Sequence, residues 1–347
     1  MWIRRGEVCF LCRPEPARRL VGQDRSDDPG RIDMIALVTG AAGFIGSHLC
    51  ESLLDDGDQV MAVDCFTGHY RRGCKERNLA PLRARPGFTF IEADLTEVAI
   101  APLLRAVDCV YHIAGQPGVR ASWGPDFADY LRHNVTATQR LLEACRHRPV
   151  RKLVYSSSSS VYGDAKSLPT PESLRPQPIS PYGVTKLTAE HLCEAYGRSF
   201  GVPVAALRLF TVYGPRQRPD MAFSRLVHAA VSGEPFEIYG DGRQTRDFTF
   251  VGDVVQALRD AARSPWCGIA NIGGGSRRSL NDAVEIVGEL LGHVRILRRP
   301  DATGDARDTA ADISVAAAAF GYRPHTSLRD GLAAMIATER VSKGALR

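Results

Sequence analysis

Three groups of residues in this sequence have the types and the spacing needed for chemistry at an alcohol. A glycine-rich turn at residues 39–47 could bind a dinucleotide. Tyr182 and Lys186 stand four positions apart, and a run of serines occupies residues 156–160. A tyrosine can exchange a proton with a hydroxyl group when neighbouring groups assist it. Together these residues predict hydride transfer between a dinucleotide and a hydroxylated substrate.

The glycine-rich turn has the pattern of a dinucleotide phosphate site. Gly40, Gly43 and Gly46 follow an apolar strand pattern and open a helical one, which is the context that this motif requires. Gly40 permits the tight turn, Gly43 the close approach of a pyrophosphate, and Gly46 the packing of the helix against the sheet. The free N–H groups at the helix start, around Phe44 and Ile45, would face the phosphates.

An acidic residue should end the second strand of such a site and bind the adenosine ribose. Asp64 stands there, 18 residues after Gly46. Its carboxylate would accept hydrogen bonds from the ribose hydroxyls and repel a 2′-phosphate. Arg71 and Arg72 in the following loop could favour a 2′-phosphate, but Asp64 holds the strand end. The sequence therefore predicts NAD rather than NADP.

Two further strand ends add residues to the predicted cofactor site. Asp94 and Leu95 follow the third strand pattern and would flank the adenine. Ala114 and Gln116 follow the fourth and would line the nicotinamide side. Ligands of parallel α/β sheets bind at the carboxyl ends of the strands, so we expect all of these residues at one edge.

The proton-transfer residues lie at the start of a helical pattern. Tyr182 and Lys186 follow Pro181, and their spacing places them on one helix face. A free tyrosine has a pKa near 10, so we expect the Lys186 ammonium and a nicotinamide cation to lower the pKa of Tyr182. A serine hydroxyl from residues 156–160, predicted to follow the fifth strand, could share the proton.

The elements that must position these residues alternate between short apolar strands and helical patterns. That alternation predicts an α/β fold with a doubly wound parallel sheet of the Rossmann type, and a smaller C-terminal α/β domain for the substrate. We expect the NAD-binding domain at residues 34–210, with some later segments returning to it, and the substrate domain mainly at 211–347. The predicted strands are 35–38, 60–63, 88–91, 109–113, 153–156 and 204–209, and the clearest helices are 44–54, 127–146 and 182–200.

Composition narrows the class of protein. The chain has 347 residues, a net charge of +5 and 44% hydrophobic residues, which is typical of a globular protein. No apolar run reaches the roughly 20 residues needed to cross a bilayer. The mild basicity suits an acidic small substrate and requires no nucleic acid. We therefore expect a cytoplasmic protein without a nucleic-acid or membrane partner.

The cysteines and the N-terminal residues do not indicate a functional site. The nine cysteines are scattered, as expected of reduced thiols. Cys9 and Cys12 have metal-ligand spacing, but no second pair accompanies them, so we expect no metal site. Residues 1–33 lack hydrophobic periodicity and the apolar core of a signal peptide. They predict either a disordered extension or an upstream start codon taken in place of Met34.

Several longer motifs, in this order, carry a family resemblance across about residues 34–340. The chain resembles the extended short-chain dehydrogenase/reductase superfamily, in its NAD-dependent sugar-nucleotide epimerase/dehydratase branch. That resemblance implies tightly held NAD, a nucleoside-diphosphate sugar substrate and a homodimer. The motifs are TGAAGFIGSHL (39–49), SSSSSVYGD (156–164), SPYGVTK (180–186), LRLFTVYGPRQRPDMAF (207–223), YGDGRQTRDFTFVGDV (239–254) and NIGGG (271–275).

The resemblance also implies roles at the reaction centre. Tyr182 would remove the proton of the sugar 4-hydroxyl while hydride passes to NAD, and Ser158 matches the catalytic serine of the family. Dehydratases and UDP-glucuronate decarboxylases of the family have acidic residues just before the Val-Tyr-Gly sequence, where this chain has Ser158, Ser159 and Ser160. The missing carboxylates leave return of the hydride to the opposite face, which is epimerisation.

The substrate side looks like UDP-glucuronate 4-epimerases. Thr211 and Arg218 match the residues that hold the sugar carboxylate there, whereas epimerases of neutral sugars resemble Phe-Asn after the sixth strand. Arg246 and Arg307 match positions that contact the diphosphate. The alternatives are a UDP-glucose 4-epimerase, a UDP-glucuronate decarboxylase with an acid placed elsewhere, and an NAD-binding protein without catalysis.

Two positions depart from the family pattern. Gly115 stands where alanine is usual, and Ala302 leaves one phosphate-binding arginine without a counterpart. We therefore expect the phosphate contacts to be arranged differently.

Overall fold

The computed structural model describes residues 34–300 and 307–344. These residues belong to one compact unit. The predicted disordered extension at 1–33, the cysteine pair within it, and Ala302 lie outside the described residues.

Strands and helices alternate through the first half of the chain, as the sequence predicts. The strands are β1 Ile35–Thr39, β2 Gln59–Asp64, β3 Phe88–Glu92, β4 Cys109–His112, β5 Lys152–Ser158, β6 Val204–Leu209, β7 Thr211–Tyr213, β8 Phe236–Tyr239, β9 Thr245–Phe250, β10 Gly268–Ile272, β11 Arg277–Ser279 and β12 Ile296–Arg299. The α-helices are α1 Phe44–Asp55, α2 Arg72–Arg83, α3 Phe127–Tyr130, α4 Ala137–His147, α5 Pro181–Phe200, α6 Ala222–Ser232, α7 Val251–Arg263, α8 Leu280–Leu291, α9 Ser314–Phe320 and α10 Leu328–Gly344.

A parallel sheet of seven strands forms the centre of the fold. Its order is β10-β6-β5-β4-β1-β2-β3, and each neighbouring pair runs parallel. The strand order reverses between β1 and β4, and ligands of open α/β sheets bind at such a switch point. The predicted doubly wound Rossmann-type sheet is therefore confirmed.

Both faces of the sheet are covered, which explains the continuous apolar runs of its strands. In β1, Ala36 and Val38 pack into one core with α1, α2 and α7. Leu37 points to the opposite core, which contains residues of α4 and α5. All three side chains are fully buried.

A smaller group of elements follows the sheet. β7, β9 and β11 form a three-stranded sheet, and β8 pairs with β12. Their core contains Phe223, Ile238, Val287 and Leu332, among others. β10 joins the edge of the large sheet, and α7 packs against it, although both elements come late in the chain.

Three local features differ from the sequence predictions. The serine run does not follow β5, because β5 continues through Ser158. The predicted helix 127–146 is interrupted by a π-helical segment, Leu131–Thr136. Helix α2 was not predicted, since it has little apolar periodicity and contains Pro81. In the described part of the chain, no helix has the length and apolarity to cross a bilayer.

Candidate active site

The predicted cofactor and proton-transfer residues line one large cleft at the carboxyl ends of the strands. The cleft has a volume of about 870 Å³. Its lining includes these predicted residues: Gly40, Gly43, Phe44, Ile45, Gly46, Asp64, Asp94, Leu95, Ala114, Gln116, Ser158, Ser159, Tyr182, Lys186, Thr211, Arg218 and Arg246. The sheet therefore brings together segments that are far apart in sequence.

The glycine turn leaves no room for side chains. Gly40 has a φ of +70°, and a Cβ added there would lie 2.7 Å from the Ala114 amide nitrogen. A Cβ on Gly46 would lie 2.9 Å from the Ala41 Cα and closer still to the Gly40 carbonyl oxygen. The bare backbone and the start of α1 at Phe44 form a cradle that fits a pyrophosphate.

Asp64 is held rigidly at the end of β2. Its carboxylate accepts hydrogen bonds from the amides of Ala42 (3.1 Å) and Phe66 (2.8 Å). The Lys75 ammonium lies 3.6 Å from it, and both side chains are buried. This geometry agrees with a ribose-binding carboxylate. The sequence assigned Lys75 no role, because no local motif marks it as a partner of Asp64.

Arg72 forms its hydrogen bonds with other acidic residues and not with Asp64. Its guanidinium forms two hydrogen bonds with Glu92, at 2.8 and 2.7 Å, and a third with Glu76 at 2.7 Å. The guanidinium carbon also lies 4.2 Å from the centre of the Phe66 ring. These contacts support the choice of Asp64 over Arg72 as the residue that sets cofactor preference.

Asp94, which the sequence predicts to flank the adenine, lines the cleft and is held in place by its neighbours. It accepts hydrogen bonds from the Thr96 amide and hydroxyl, both at 2.7 Å, and from Arg132 at 2.7 Å. Potential ligand atoms of Cys65, Asp94 and His133 lie within 4.8 Å of one another. Because all three line the cofactor cleft and Asp94 is already paired, we do not assign them a metal.

The nicotinamide side is organised by Asn134. Its side-chain oxygen accepts a hydrogen bond from the Gln116 amide at 2.7 Å, and its nitrogen donates to Thr185 at 3.0 Å. A Cβ on Gly115 would lie 2.8 Å from that Asn134 oxygen and 3.4 Å from Lys186 Nζ. Glycine at this family-atypical position therefore leaves space for the Asn134 contact.

The first turn of α5 positions the proton-transfer pair. Ser180 caps the helix by accepting a hydrogen bond from the Gly183 amide at 3.1 Å, and Pro181 occupies the first helical position. Lys186 is buried, and its ammonium donates to the Ser156 carbonyl at 2.8 Å. Ser158, also buried, accepts a hydrogen bond from the Ser160 amide at 3.1 Å.

Several groups influence the pKa of Tyr182. Burial raises the pKa of Tyr182, whereas the hydrogen bond with Ser158 and the charge of Arg218 act to lower it. Lys186 is not among the groups that shift the pKa of Tyr182. Burial lowers the pKa of Lys186 itself to about 8. In these surroundings desolvation outweighs the two groups that lower the pKa of Tyr182. That Lys186 and a nicotinamide cation together lower this pKa stays a prediction.

Arg218 reaches the substrate end of the cleft. Its guanidinium forms two hydrogen bonds with the Asp220 carboxylate, at 3.1 and 2.9 Å. His69 lies 3.9 Å from the same carboxylate. Its pKa is lowered by burial and by the Arg218 charge. Thr211 opens β7 at the same end of the cleft.

The two predicted diphosphate arginines have different positions. Arg246 lines the cleft, and its guanidinium donates to the Arg307 carbonyl at 2.7 Å. Arg307 is exposed and is not among the lining residues, so the structure places its carbonyl rather than its side chain beside Arg246. Arg120, Arg225 and Tyr239 also line the cleft, although the sequence assigned them no role. Arg120 and Arg225 lie outside the family motifs, and Tyr239 begins one of them without a chemistry of its own to single it out.

The fold and the cleft define a class of dinucleotide-dependent enzymes, and comparison with known proteins identifies the family. The chain matches the model of the NAD dependent epimerase/dehydratase family over residues 36–273. This protein therefore belongs to the NAD-dependent epimerase/dehydratase family.

Two relatives illustrate its place in that family. An uncharacterized UDP-glucose epimerase, YtcB of Bacillus subtilis, is 47% identical over 308 residues, which cover 88% of this chain and 97% of YtcB. A UDP-glucuronate 4-epimerase of Thermodesulfobacterium geofontis is 36% identical over 304 residues, which cover 85% of this chain and 93% of the relative.

Solved structures are similar over nearly their full length. UDP-glucuronic acid 4-epimerase from Bacillus cereus, in complex with UDP-glucuronic acid and NAD, has a TM-score of 0.86 and 43% identity, covering 89% of this chain and all of that one. MoeE5 in complex with UDP-glucose and NAD has a TM-score of 0.79 and 45% identity, covering 89% and 99%.

Proposed function

We propose that this protein is an NAD-dependent 4-epimerase of UDP-sugars, with UDP-glucuronate and UDP-galacturonate as its substrate pair. One observation carries the choice of sugar: the Arg218 guanidinium lines the same cleft as Tyr182 and Ser158. A planar guanidinium binds a carboxylate in two-point fashion. A uronate is the hexose derivative that presents such a group.

The residues of the cleft divide the chemistry between them. The glycine turn and Asp64 would hold NAD, which when bound would supply a reversible hydride acceptor for C4 with no net redox change. Tyr182 takes the proton of the 4-hydroxyl at its phenolic oxygen and returns it afterwards. Ser158 hydrogen-bonds to the reacting oxygen, and Lys186 contributes a buried positive charge next to the pair.

The serines at the end of β5 favour epimerisation over elimination or decarboxylation. Ser158 and Ser159 line the cleft beside Tyr182 and carry no group that could act as an acid or base at a neighbouring carbon. In the described cleft, Asp220 is near the substrate end, but it is paired with Arg218. The 4-keto sugar then has reduction at the opposite face as its available fate.

Arg218 has a second task in this reaction. A 4-keto uronate is a β-keto acid, which loses carbon dioxide easily. Arg218 and Thr211 would hold the carboxylate in an orientation that is unfavourable for this loss. Specificity and protection of the intermediate would thus depend on the same two side chains.

A UDP-glucose 4-epimerase is the second candidate. The relative YtcB carries that description, and MoeE5 has been crystallised with UDP-glucose as well as with UDP-glucuronic acid. Asp220 already neutralises Arg218 in this structure, so a neutral sugar would not face an unpaired charge.

Other features of the proposal depend on family resemblance. We propose that the protein works as a homodimer in the cytoplasm. We also propose residues 34–210 as the cofactor domain and 211–347 as the main substrate domain. Arg246 is proposed to contact the diphosphate, and Arg307 would do so only if its side chain turned towards the cleft.

Proton NMR of the purified protein with UDP-glucuronate tests the proposal directly. We expect UDP-galacturonate to accumulate to a constant ratio with the substrate, and the reverse reaction to reach the same ratio. UDP-glucose is the matched control substrate.

Each alternative gives a different spectrum. A UDP-pentose product would identify a decarboxylase. Conversion of UDP-glucose with no change in UDP-glucuronate would support the neutral-sugar epimerase and contradict the role of Arg218. An unchanged spectrum with both sugars would contradict the epimerase proposal.

A further inference from the structure

A cluster of buried charged side chains includes Lys186 of the proton-transfer pair. Lys186, Glu190 and Arg208 are 5%, 1% and 3% exposed, respectively. Arg208 and Glu190 form an ion pair in the interior, and the Lys186 ammonium is buried on the same helix as Glu190. Unpaired buried charges are costly, so such a cluster requires an explanation.

Glu190 is fixed from two sides. The Arg208 guanidinium donates to its carboxylate through Nε at 3.0 Å and Nη2 at 2.8 Å. From β5, the Ser157 hydroxyl donates to the same carboxylate. Ser157 directly precedes Ser158, so Glu190 is connected to the strand end that carries the proposed catalytic serine.

Arg208 extends the cluster to the edge of the sheet. Its Nη1 donates to the Tyr162 hydroxyl at 2.8 Å, and Tyr162 donates to the Asn271 side-chain oxygen at 2.7 Å. Asn271 belongs to β10. The carboxylate is therefore positioned by α5, β5, β6 and β10 together.

Lys186 faces few other charges. Glu190 lies one turn further along α5, on the same helix face, and acts to raise the pKa of Lys186. Cys193 on α5 and His112 on β4 also interact with Lys186. Burial raises the pKa of the Cys193 thiol and lowers that of His112 to about 3, so both are neutral near pH 7.

The remaining surroundings of Lys186 are polar or aromatic. The Tyr155 ring centre lies 5.0 Å from Nζ, and the Ser156 carbonyl accepts its hydrogen bond. The Tyr155 phenol is fully buried, and burial raises its pKa. Among these neighbours, Glu190 is the one acidic side chain, and it forms an ion pair with Arg208.

We propose that Glu190 is a positioning residue for proton transfer, whose carboxylate keeps Lys186 charged and aligns the strand end at Ser158. This inference rests on the proposed roles of Tyr182 and Lys186 but not on the identity of the sugar. Without the Glu190 charge, Arg208 and Lys186 would be two buried cations with no anion between them. Arginine does not release its proton near neutral pH, so Lys186 would lose its own.

Titration of lysine side chains by NMR tests the inference without turnover. The sequence contains five lysines, so holoenzyme labelled with ¹³C at lysine Cε should give few signals, and Lys186→Arg identifies the one to follow. In Glu190→Gln we expect Lys186 to lose its proton about one pH unit or more below wild type. The basic limb of the kcat profile should move in the same direction.

Matched variants separate charge from packing. Tyr162→Phe removes a hydrogen bond from the same cluster without changing a charge, and it should leave the Lys186 titration unchanged. Arg208→Met should move the titration to higher pH. If either single charge variant fails to fold, Glu190→Gln with Arg208→Met removes both members of the pair and should shift the titration downward by a smaller amount.

Three results would overturn the inference. The first is an unchanged Lys186 titration in folded Glu190→Gln or in the double variant. The second is a shift in Tyr162→Phe as large as that in Glu190→Gln, which would indicate general loosening. The third is a downward shift in Arg208→Met. Failure of the epimerase proposal would affect only the turnover measurement, because the titration needs no sugar.

Discussion

Tyr182 illustrates how a single residue depends on its surroundings. Its phenol is half-buried at the cleft, and burial raises its pKa. Ser158 and Arg218 oppose that shift, and the positive charge of a bound nicotinamide ring would add to their effect. Bound cofactor therefore has an electrostatic role in addition to accepting hydride.

The first prediction concerns the proposed base. Tyr182→Phe should retain bound NAD, because the ring remains, and should lose at least roughly 10³-fold in turnover, since proton transfer loses its acceptor. The measurement is sugar conversion by NMR, with bound NAD quantified after denaturation. Near-normal turnover would contradict the assignment of Tyr182.

The second prediction concerns the carboxylate site. Arg218→Ala should weaken UDP-glucuronate binding roughly 10- to 100-fold, because a charge-assisted two-point contact is lost and the Asp220 carboxylate then faces the substrate. Some of the product should appear as UDP-pentose. The measurements are KM and product analysis by NMR.

Arg218→Lys and UDP-glucose serve as controls for that variant. Lysine retains the charge but lacks the planar fork, so affinity should recover only in part. UDP-glucose binding should change little. Equal effects on both sugars would mean that Arg218 does not read the carboxylate.

The third prediction is a pH dependence. The pKa of Lys186 is lowered to about 8 by burial, and its charged form is the one that assists Tyr182. The rate should therefore fall as pH rises through about 8. Below that pH, the rate should increase with increasing pH, because a larger fraction of Tyr182 can accept a proton. Lys186→Arg keeps its charge in alkaline solution, so its residual activity should lack this decline.

At the scale of elements, α1 and the glycine turn that follows β1 meet at a distance that only glycine permits. A Cβ on Gly46 would lie 2.9 Å from the Ala41 Cα. The helix must approach this closely for its N-terminal N–H groups to reach the cleft. The close packing of α1 and the shape of the cofactor cradle therefore both require glycine at position 46.

The fourth prediction compares two helical glycines. Gly46→Ala should destabilise the protein by about 1–3 kcal/mol through overpacking and should weaken NAD binding. Gly288 in α8 has no neighbouring atom within 4 Å of an added Cβ, so Gly288→Ala should be neutral or stabilising by up to about 1 kcal/mol. Thermal unfolding and NAD titration of both variants provide the test, and equal behaviour would contradict the packing argument.

At the scale of the whole molecule, the parallel sheet gathers the ends of distant strands at one edge. β1, β2, β5 and β6 each contribute a lining residue, the segment after β4 contributes Ile113 and Ala114, and β7 adds Thr211 from the smaller group of elements. These residues come together only in the folded chain, so the cofactor should bind the folded state and not the unfolded one. Its binding energy should therefore stabilise the whole unit.

The fifth prediction follows from that linkage. Removal of NAD should lower the unfolding temperature by several degrees, because a ligand at a hundredfold excess over its Kd adds about 2.7 kcal/mol to stability. The measurement is calorimetry with and without added NAD. Tyr182→Phe should show the same gain on NAD addition, whereas Gly46→Ala should show a smaller one.

Much of this protein could be predicted from its sequence alone. Apolar runs between helical patterns indicated the parallel sheet, because strands buried on both faces must be apolar throughout. Short motifs indicated the cofactor and the type of reaction, because the roles of their residues depend on local backbone geometry and short spacings. These motifs are the glycine turn, Asp64, and the pair Tyr182 and Lys186. These signals lie within single turns or at single strand ends.

Only the tertiary structure decided which groups become neighbours. Arg218 pairs with Asp220 two residues away, but Glu190 meets Ser157 and Arg208 across three elements, and no local pattern encodes that contact. Burial raises the pKa of Tyr182, and the exposed Arg307 side chain is not among the residues that line the described cleft. Desolvation and charge pairing are properties of the packed interior, which exists only once distant segments have come together.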